Sequence, residues 1–429
     1  MSFYKHSVAL DESKCKACIN CLKSCPTEAI RIKDGHAVID SRRCIDCGEC
    51  IKKCPRKAKS SVADKFSELP FKKKFLIALP PPSLYGQFEN LDDADYLLQG
   101  LLDIGFDYVY EVARAAELVT EYTRQYLKRD DIKKPVISSA CPVVTRLIAL
   151  RFPTLVEHLM PIHSPMEIAA RRAKEEVRKL HPELRDEDIA AVFISPCTAK
   201  ISAVKNSPED EPSAVDYVVP VSEVYFELIG AMGKIDVPEP ISRTGMVGMS
   251  WAVSGGEASA LLNDRYLAAD GIKHIIKVLD EIETGTYPFV EFIELNACSS
   301  GCVGGALTVG NPYLTKVKIQ SIKRYLPVMH NRPSVDEVKE IPEDYSFSRF
   351  ECEPIKLHPD RKTAMKLMIE IQNVCKHLPE YDCGACGSPN CRTFAEDVVL
   401  GRADVSGCVM LKPEEKESLK QELDREAGA

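Results

Sequence analysis

Eighteen cysteines in a chain of 429 residues constrain the fold more than any other feature of this sequence. Sixteen of them fall into four groups of four. Such grouping is typical of metal sites, because a reducing compartment does not sustain structural disulfides. The other two, Cys352 and Cys375, fit no spacing pattern, and we interpret them as ordinary buried thiols.

Two of the groups form a repeat near the N-terminus. Each has the spacing C-x2-C-x2-C-x3-C-P, the bacterial two-cluster ferredoxin pattern, in which the fourth cysteine of each run ligates the other cluster. Zinc is the alternative, which the doubled spacing with both prolines disfavours. The predicted [4Fe–4S] ligands are Cys15, Cys18, Cys21 and Cys54 for the first cluster, and Cys44, Cys47, Cys50 and Cys25 for the second.

A lysine-rich stretch follows the second run. Its basic residues are Lys52, Lys53, Arg56, Lys57, Lys59 and the lysines of residues 72–74. We interpret it as solvated linker surface. The alternative is a docking face for an acidic electron carrier.

From Phe75 onward, apolar strand-like segments alternate with helical periodicity, which predicts an α/β domain with parallel sheet. Three of these segments end in cysteines: one at Cys141, one at Cys197, and one at Cys298 with Cys302. Because ligands of α/β folds bind at the carboxyl ends of the strands, we expect these four thiols to meet at one metal cluster. Glycines beside the last pair let the backbone pass close to a bulky ligand.

The fourth group lies near the C-terminus, after a helix-like stretch over residues 364–378. It consists of Cys383, Cys386, Cys391 and Cys408. The group predicts a further [4Fe–4S] site, and zinc stays open here because the spacing is less diagnostic.

Charge and hydropathy exclude several classes of partner. A formal net charge of −8 gives no general affinity for nucleic acid or for an anionic membrane. No apolar run is long enough to cross a bilayer, and the N-terminal residues show neither a signal-peptide core nor a twin-arginine pattern. We therefore expect a cytoplasmic protein that binds neither nucleic acid nor membrane.

The central cysteines lie in segments that resemble the three loop motifs of the catalytic domain of [FeFe]-hydrogenases. The segments are SSACP (138–142), PCTAK (196–200) and ELNACSSGCVGG (294–305). The resemblance implies an α/β fold with a two-lobed H-cluster domain of parallel sheets over 71–355. It also implies an N-terminal ferredoxin-like α+β module over 1–70 and a small C-terminal Fe–S domain over 356–429.

The same resemblance implies a specific cofactor and its ligands. Cys141, Cys197, Cys298 and Cys302 ligate a [4Fe–4S] cubane, and Cys302 also bridges to a two-iron unit carrying CO, cyanide and a dithiolate. The resemblance also implies that three further residues face the two-iron unit. Lys200 would donate a hydrogen bond to one cyanide, and Ser83 and the neighbouring Pro82 would lie near the other cyanide.

The departures from the family pattern affect proton transfer. Active members carry a second cysteine where Ala140 stands and a glutamate where Ala203 stands, and a methyl group cannot relay protons. Two methionines expected near the two-iron unit are replaced by Ser195 and Asn296, and a Gly-Gln-Pro segment by residues 306–308. Metal-holding residues with an altered proton path resemble the sensory branches of the family.

The sequence therefore predicts a low-turnover, H₂-sensing iron hydrogenase that passes electrons through [4Fe–4S] clusters. Its expected partners are H₂ and protons, a redox partner protein (a ferredoxin or a signalling protein) and maturation proteins. Two alternatives stay open. One is a fully active ferredoxin-linked enzyme with another proton route, through Glu257 or Glu294. The other is a hydrogenase-like Fe–S protein that lacks the two-iron unit.

Overall fold

The computed structural model describes residues 4–285, 287, 289–334, 337–347 and 354–427, and Cys352 lies outside this part of the chain. The strands in the described part are β1 (Val8–Leu10), β2 (Ile30–Lys33), β3 (His36–Ile39), β4 (Lys59–Ser61), β5 (Phe75–Leu79), β6 (Tyr108–Val109), β7 (Val136–Ile137), β8 (Ile189–Ser195), β9 (Tyr217–Pro220), β10 (Tyr266–Asp270) and β11 (Phe292–Asn296).

The helices connect and cover these strands. In chain order they are α1 (Asn20–Ser24), α2 (Glu49–Lys52), α3 (Pro82–Tyr85), α4 (Ala94–Asp103), α5 (Val112–Tyr126), α6 (Pro142–Arg151), α7 (Pro165–Leu180), α8 (Thr198–Lys205), α9 (Val221–Met232), α10 (Met246–Ser250), α11 (Gly256–Ala260), α12 (Ile272–Glu283), α13 (Pro312–Lys323), α14 (Arg361–His377), α15 (Cys391–Val399) and α16 (Pro413–Ala427). No helix among the described residues is both long and apolar enough to cross a bilayer.

The chain divides into two compact units. Unit 1 comprises Met1–Cys44, Glu49–Ser61 and Pro354–Ala429, and unit 2 comprises Ile45–Gly48 and Val62–Glu353. Unit 1 thus combines the N-terminal and C-terminal segments that the sequence analysis treats as separate domains.

Unit 2 contains two parallel sheets, which confirms the predicted α/β class. One sheet has the strand order β6-β5-β8-β9 and the other has the order β10-β11-β7. All seven residues of β8 are buried, as expected for a central parallel strand covered on both faces. The uninterrupted apolar composition of such strands makes them recognisable from sequence.

Unit 1 contains two antiparallel pairs, β1 with β4 and β2 with β3. Asp34 and Gly35 join β2 to β3 with positive φ angles of 49° and 78°, as a tight hairpin requires. The two cysteine runs repeat the same backbone geometry. Ala17 and Asp46, each two residues after the first cysteine of its run, have φ angles of 52° and 51°.

The C-terminal segment of unit 1 packs on the hairpin through charged and backbone contacts. The Ile32 N–H donates to the Gly387 carbonyl over 2.9 Å, and the Arg31 guanidinium pairs with the Asp397 carboxylate. The Arg43 guanidinium pairs with Glu396 in the same way. Because both arginine side chains are only 13% exposed, these pairs are screened less than surface pairs.

One part of the lysine-rich stretch is not solvated. Lys53, Arg56 and Lys57 are exposed, as expected, but Lys59 is only 3% exposed. Lys59 lies in β4, opposite Leu10 of β1, and this pairing places its side chain in the interior of unit 1. The solvated-linker interpretation is therefore wrong for Lys59.

Close packing of two loops in unit 2 gives a testable difference between two glycines. A Cβ atom on Gly305 would lie 2.0 Å from the Pro196 carbonyl oxygen, whereas one on Gly230 in α9 would have no neighbour within 4 Å. Gly305→Ala should destabilise the chain by ~1–3 kcal/mol or more through overpacking. Gly230→Ala, the matched control, should stabilise it by ~0.5–1 kcal/mol through helix propensity. Thermal unfolding followed by circular dichroism measures both, and equal shifts would contradict the packing described.

Candidate active site

The three central motifs begin where three strands of unit 2 end. Residues 138–142 follow β7, residues 196–200 follow β8, and residues 297–305 follow β11. The strands β7 and β11 are neighbours in the three-stranded sheet, whereas β8 belongs to the four-stranded sheet. The carboxyl ends of strands from two sheets therefore supply the cysteines.

Two of the cysteines also stand at helix N-termini. Cys141 is the N-cap residue of α6 and Cys197 is the N-cap residue of α8, helices of 10 and 8 residues. The positive end of a helix dipole favours a thiolate over a neutral thiol. The local sequence produces this arrangement, since Pro142 is well suited to the first position of a helix.

A cavity lies between these loops and is lined by residues from all three motifs. Sequence-predicted residues that line it are Pro82, Ser83, Ala140, Cys141, Lys200 and Cys302. Cys197 does not line the cavity but adjoins it, since its thiol is close enough to interact with those of Cys141 and Cys302. Cys298 is half-buried, four residues before Cys302 on the same loop.

The environment of these thiols disfavours bare thiolates. Burial raises the pKa of Cys197 to about 11 and that of Cys302 to about 12. The thiol of Cys141 adds to both shifts, and the thiol of Cys197 adds to the shift at Cys302. The Lys200 ammonium lowers the pKa of both, which places its charge beside both sulfurs. A bound metal supplies the further positive charge that deprotonated thiols need here.

The remaining polar groups of the cavity fit a cofactor with hydrogen-bond acceptors. The Ser83 side chain is 1% exposed, and its hydroxyl has no hydrogen-bond partner among the described residues. The Lys200 Nζ lies 5.3 Å from the centre of the Phe193 ring, at the cavity wall. Two donors facing one space suit a group that carries two cyanides, so the residues present fit the two-iron unit.

The residues that depart from the family pattern are placed differently from one another. Ala140 lines the cavity, whereas Ala203 is exposed on α8 and does not line it. The Ser195 hydroxyl donates to the Cys197 carbonyl over 2.8 Å and so holds its own loop. The Asn296 amide donates to Glu294 over 2.6 Å. Of the two alanines, only Ala140 therefore stands where it can interrupt a proton path at the cavity.

Glu257 and Glu294 form a pair of carboxyl groups at the cavity. The sequence shows only that each lies near a motif, and it does not show that the two are neighbours. The Ser138 hydroxyl lies 2.8 Å from both carboxyl oxygens of Glu257 and accepts a hydrogen bond from the Ala140 N–H over 3.2 Å. Burial raises the pKa of Glu257 well above its ordinary value, and the nearby Glu294 adds to this shift. Burial also raises the pKa of Glu294, although the N–H groups of Ala258 and Gly255 oppose it.

Trp251 packs against the apolar core, as its apolar context predicts, but its position at the cavity was not predicted from the sequence. It lines the cavity as well as packing against the apolar core, and its indole N–H donates to Thr120 over 3.0 Å. A single tryptophan after a glycine-containing segment carries no signal for such a position.

Among the residues that the structure describes, no three cysteine, histidine or carboxylate side chains converge on one point as the ligands of a single ion would. A cubane takes one thiolate per iron, so its four ligands are spread over its corners.

The C-terminal cysteines border a second, smaller hollow in unit 1, lined by Cys383, Cys386, Cys391 and Cys408. The loop that carries them contacts α1, because the Lys23 ammonium donates to the Pro389 carbonyl over 2.6 Å and to that of Asp382. Cys375 is half-buried beside this group, and burial raises its thiol pKa, with the nearby Cys391 adding to the shift.

Comparison with known proteins identifies the central domain. Residues 74–263 and 256–306 match the family model "Iron only hydrogenase large subunit, C-terminal domain", which covers more than half of the chain and all four central cysteines. The chain belongs to the [FeFe]-hydrogenase family. Residues 7–55 match a 4Fe-4S dicluster domain, which confirms the ferredoxin-like module, and residues 378–410 match an Fe-S cluster model.

Known hydrogenases resemble the chain over most of its length. The periplasmic [Fe] hydrogenase large subunit of Nitratidesulfovibrio vulgaris is 28% identical over an alignment 379 positions long, which covers 73% of this chain and 88% of that protein. A solved [FeFe]-hydrogenase, from a study of oxygen inactivation through its H cluster 2Fe subcluster, gives a TM-score of 0.50. It is 16% identical and covers 68% of this chain and 97% of that one, so it shows the shared fold. The first relative is periplasmic, and a cytoplasmic location for this hydrogenase-family chain stays a prediction.

Glu257 gives the hydrogenase-family fold a specific pH dependence. Its carboxyl keeps a proton in the folded state that the unfolded chain releases above a pH of 4.5, because its pKa is raised. The unfolded state then binds fewer protons, so the free energy of unfolding falls as the pH rises above that value. Glu257→Gln has no titrating carboxyl and should not show this fall in the free energy of unfolding. The stability of the variant relative to the wild type, measured by denaturant titration, should therefore be greater at about pH 7.5 than at about pH 5. A stability difference that is the same at both pH values would exclude a raised pKa of Glu257.

Proposed function

We propose that this chain is a low-turnover [FeFe]-hydrogenase that senses H₂ and couples H₂/proton interconversion to electron transfer through [4Fe–4S] clusters. One observation carries the proposal: the cavity between the three cysteine loops contains Lys200 and Ser83 as donors but a methyl group, Ala140, where a proton relay is needed. Metal-holding chemistry is retained while the nearest relay is missing.

The proposed cluster ligands follow the four cysteine groups. The two ferredoxin-type sites use Cys15, Cys18, Cys21 with Cys54, and Cys44, Cys47, Cys50 with Cys25; the central cubane uses Cys141, Cys197, Cys298 and Cys302; the C-terminal site uses Cys383, Cys386, Cys391 and Cys408. When bound through Cys302, the two-iron unit supplies the chemistry of H₂ heterolysis. Four cubanes give this chain a route for single electrons, with a ferredoxin or a signalling protein as the redox partner.

The protein side chains orient and retain the two-iron unit. The Lys200 ammonium is a point-charge donor beside Cys302, and the Ser83 hydroxyl, with Pro82 next to it, provides a second donor at the same cavity. Such charge-assisted hydrogen bonds contribute ~1.5–3 kcal/mol each where water is excluded. A non-catalytic Fe–S protein without the two-iron unit would gain nothing from the buried Ser83 hydroxyl, which has no hydrogen-bond partner among the described residues.

Proton transfer is the step that this chain should perform slowly. General acid–base groups contribute ~10²–10⁴-fold to a rate, and Ala140 cannot act as one. The ionisable group connected to this position is Glu257, which Ser138 links by hydrogen bonds to the Ala140 backbone. The proton on Glu257 is held strongly, since the carboxyl is buried beside Glu294.

The same carboxyl pair favours a second candidate, a fully active enzyme with a different proton route. In that case Glu257 exchanges protons at the cavity through its carboxyl oxygen, and Glu294 is the next acceptor. The two candidates share all the metal sites and differ only in whether Glu257 replaces the missing relay efficiently.

The Lys200 side chain provides a test of the proposed cofactor site. Lys200→Met keeps the apolar stem but removes the charge beside Cys302, so the matured protein should retain its cubanes and lose part of the two additional irons. Lys205→Met is the control, because Lys205 lies on the same helix but its ammonium donates to the Val62 carbonyl. Iron content per chain measures the loss. Equal iron in both variants would contradict the placement of Lys200.

Turnover of relay variants distinguishes the two candidate functions. For a slow enzyme, Ala140→Cys should raise H₂ evolution with a reduced viologen dye, while Glu257→Gln should change it little. For an enzyme with the alternative route, Glu257→Gln should reduce turnover ~10²-fold or more, and Ala140→Cys should add little. Ala203→Glu, at an exposed position, is the control and should have no effect. Fast turnover in the wild type would contradict the low-turnover proposal.

A further inference from the structure

Lys59 is a buried lysine in the N-terminal module. Its side chain lies in β4 at 3% exposure, and its ammonium has no hydrogen-bond partner among the described residues. Burying an ammonium is unfavourable unless another charge or a set of hydrogen bonds compensates it. The fold therefore retains a costly charge at a defined position, which requires a physical reason.

The internal repeat of the N-terminal module identifies the equivalent position. The last cysteine of each run begins an equivalent six-residue segment, which reads CPTEAI over residues 25–30 and CPRKAK over residues 54–59. The backbones match as well, since Glu28 and Lys57 have φ angles of 53° and 49°. In both repeats the alanine N–H donates to the cysteine sulfur over 3.2 Å.

The difference that concerns the interior is at the last of these six positions. The first has Ile30, which is 2% exposed and packs in an apolar cluster, and the second has Lys59 in the equivalent place. An isoleucine is therefore compatible with this backbone and this degree of burial. The lysine is not needed to form the strand or to fill space.

Lys59 lies beside thiols of one predicted cluster. It directly follows Ala58, whose N–H donates to the Cys54 sulfur over 3.2 Å. The Lys59 ammonium is also close enough to the thiols of Cys21 and Cys54 to interact with both. Cys21 and Cys54 are both proposed ligands of the first cluster.

A positive charge beside an iron–sulfur cluster affects its two redox states unequally. A cubane with four thiolates is an anion, and reduction adds a further negative charge. Coulomb attraction to a nearby ammonium in a poorly screened interior is therefore stronger for the reduced state. Net charge and hydrogen bonding around the sulfurs are among the factors that set cluster potentials.

We propose that Lys59 compensates the charge of the cluster held by Cys15, Cys18, Cys21 and Cys54, and raises its reduction potential above that of the second ferredoxin-type cluster. Ile30 occupies the equivalent place beside Cys25, a ligand of that second cluster, so the second cluster has no such cation at this position. Electrons that enter the module therefore reside mainly on the first cluster. The inference rests on the proposed function, in which these cysteines hold [4Fe–4S] clusters.

Redox titration of the full-length chain, followed by electron paramagnetic resonance, tests the proposal. Lys59→Ile installs the residue of the other repeat, and the midpoint potential of one ferredoxin-type cluster should shift to a more negative value while the other stays unchanged. A Cys18→Ala variant, which lacks one ligand of the first cluster, identifies the shifted signal by its absence. Lys59→Arg should keep a potential close to that of the wild type.

Two further variants make the result decisive. Lys53→Ile removes the same charge from an exposed site one residue before Cys54, where water and salt screen it, and should leave both potentials unchanged. Lys59→Gln is a neutral alternative of similar length in case Lys59→Ile does not assemble the cluster, and it should show the same negative shift. Unshifted potentials in whichever neutral variant retains full iron would overturn the proposal, as would equal shifts in Lys53→Ile and Lys59→Ile.

Failure of the proposed function gives a different result. If the wild-type chain lacks the first cluster, its iron content and its reduced spectrum do not differ from those of Cys18→Ala. If the cluster is present but Lys59 does not affect it, the wild type and its neutral variants share one potential. The two outcomes are therefore distinguishable in the same set of samples.

Discussion

The cost of burying a charged sulfur is the constraint on which the rest of this structure depends. Cys197 and Cys302 lie where burial raises the thiol pKa to about 11 and about 12, so metal binding there needs nearby positive charge. The chain supplies this charge from Lys200 and from the N-terminus of α8, which begins directly after Cys197. The loops that deliver the cysteines are also closely packed, as at Gly305 against Pro196.

The same constraint explains two features that are otherwise unexpected. Lys59 is an ammonium inside unit 1 that has no hydrogen-bond partner among the described residues, and it lies beside thiols that belong to a predicted cluster. Glu257 is a buried carboxyl, and a bound proton rather than a nearby cation reduces the free-energy cost of burying it. Charge balance near the sulfur ligands therefore differs from site to site, with lysine at two of them and a protonated carboxyl at the edge of the central cavity.

The sequence was sufficient for the features that depend on local pattern. Cysteine spacing predicted the ferredoxin-like module, and apolar runs such as β8 predicted the parallel α/β domain. Features that depend on tertiary placement were not predictable in this way. Lys59 belongs to a charged run that is mostly solvated, and only its pairing in β4 buries it; Trp251 and Ala203 have positions relative to the cavity that no spacing rule gives.

The central claim is that the three cysteine loops and Lys200 retain a two-iron unit that reacts with H₂. Infrared spectroscopy of the matured wild-type protein tests this claim most directly, because CO and cyanide stretches have no counterpart in a protein that holds only cubanes. The account predicts both sets of bands, absent from protein made without the maturation machinery, and predicts that they shift when H₂ is added. A fully matured sample with complete cubanes but without these bands, or with bands that H₂ does not shift, would contradict it.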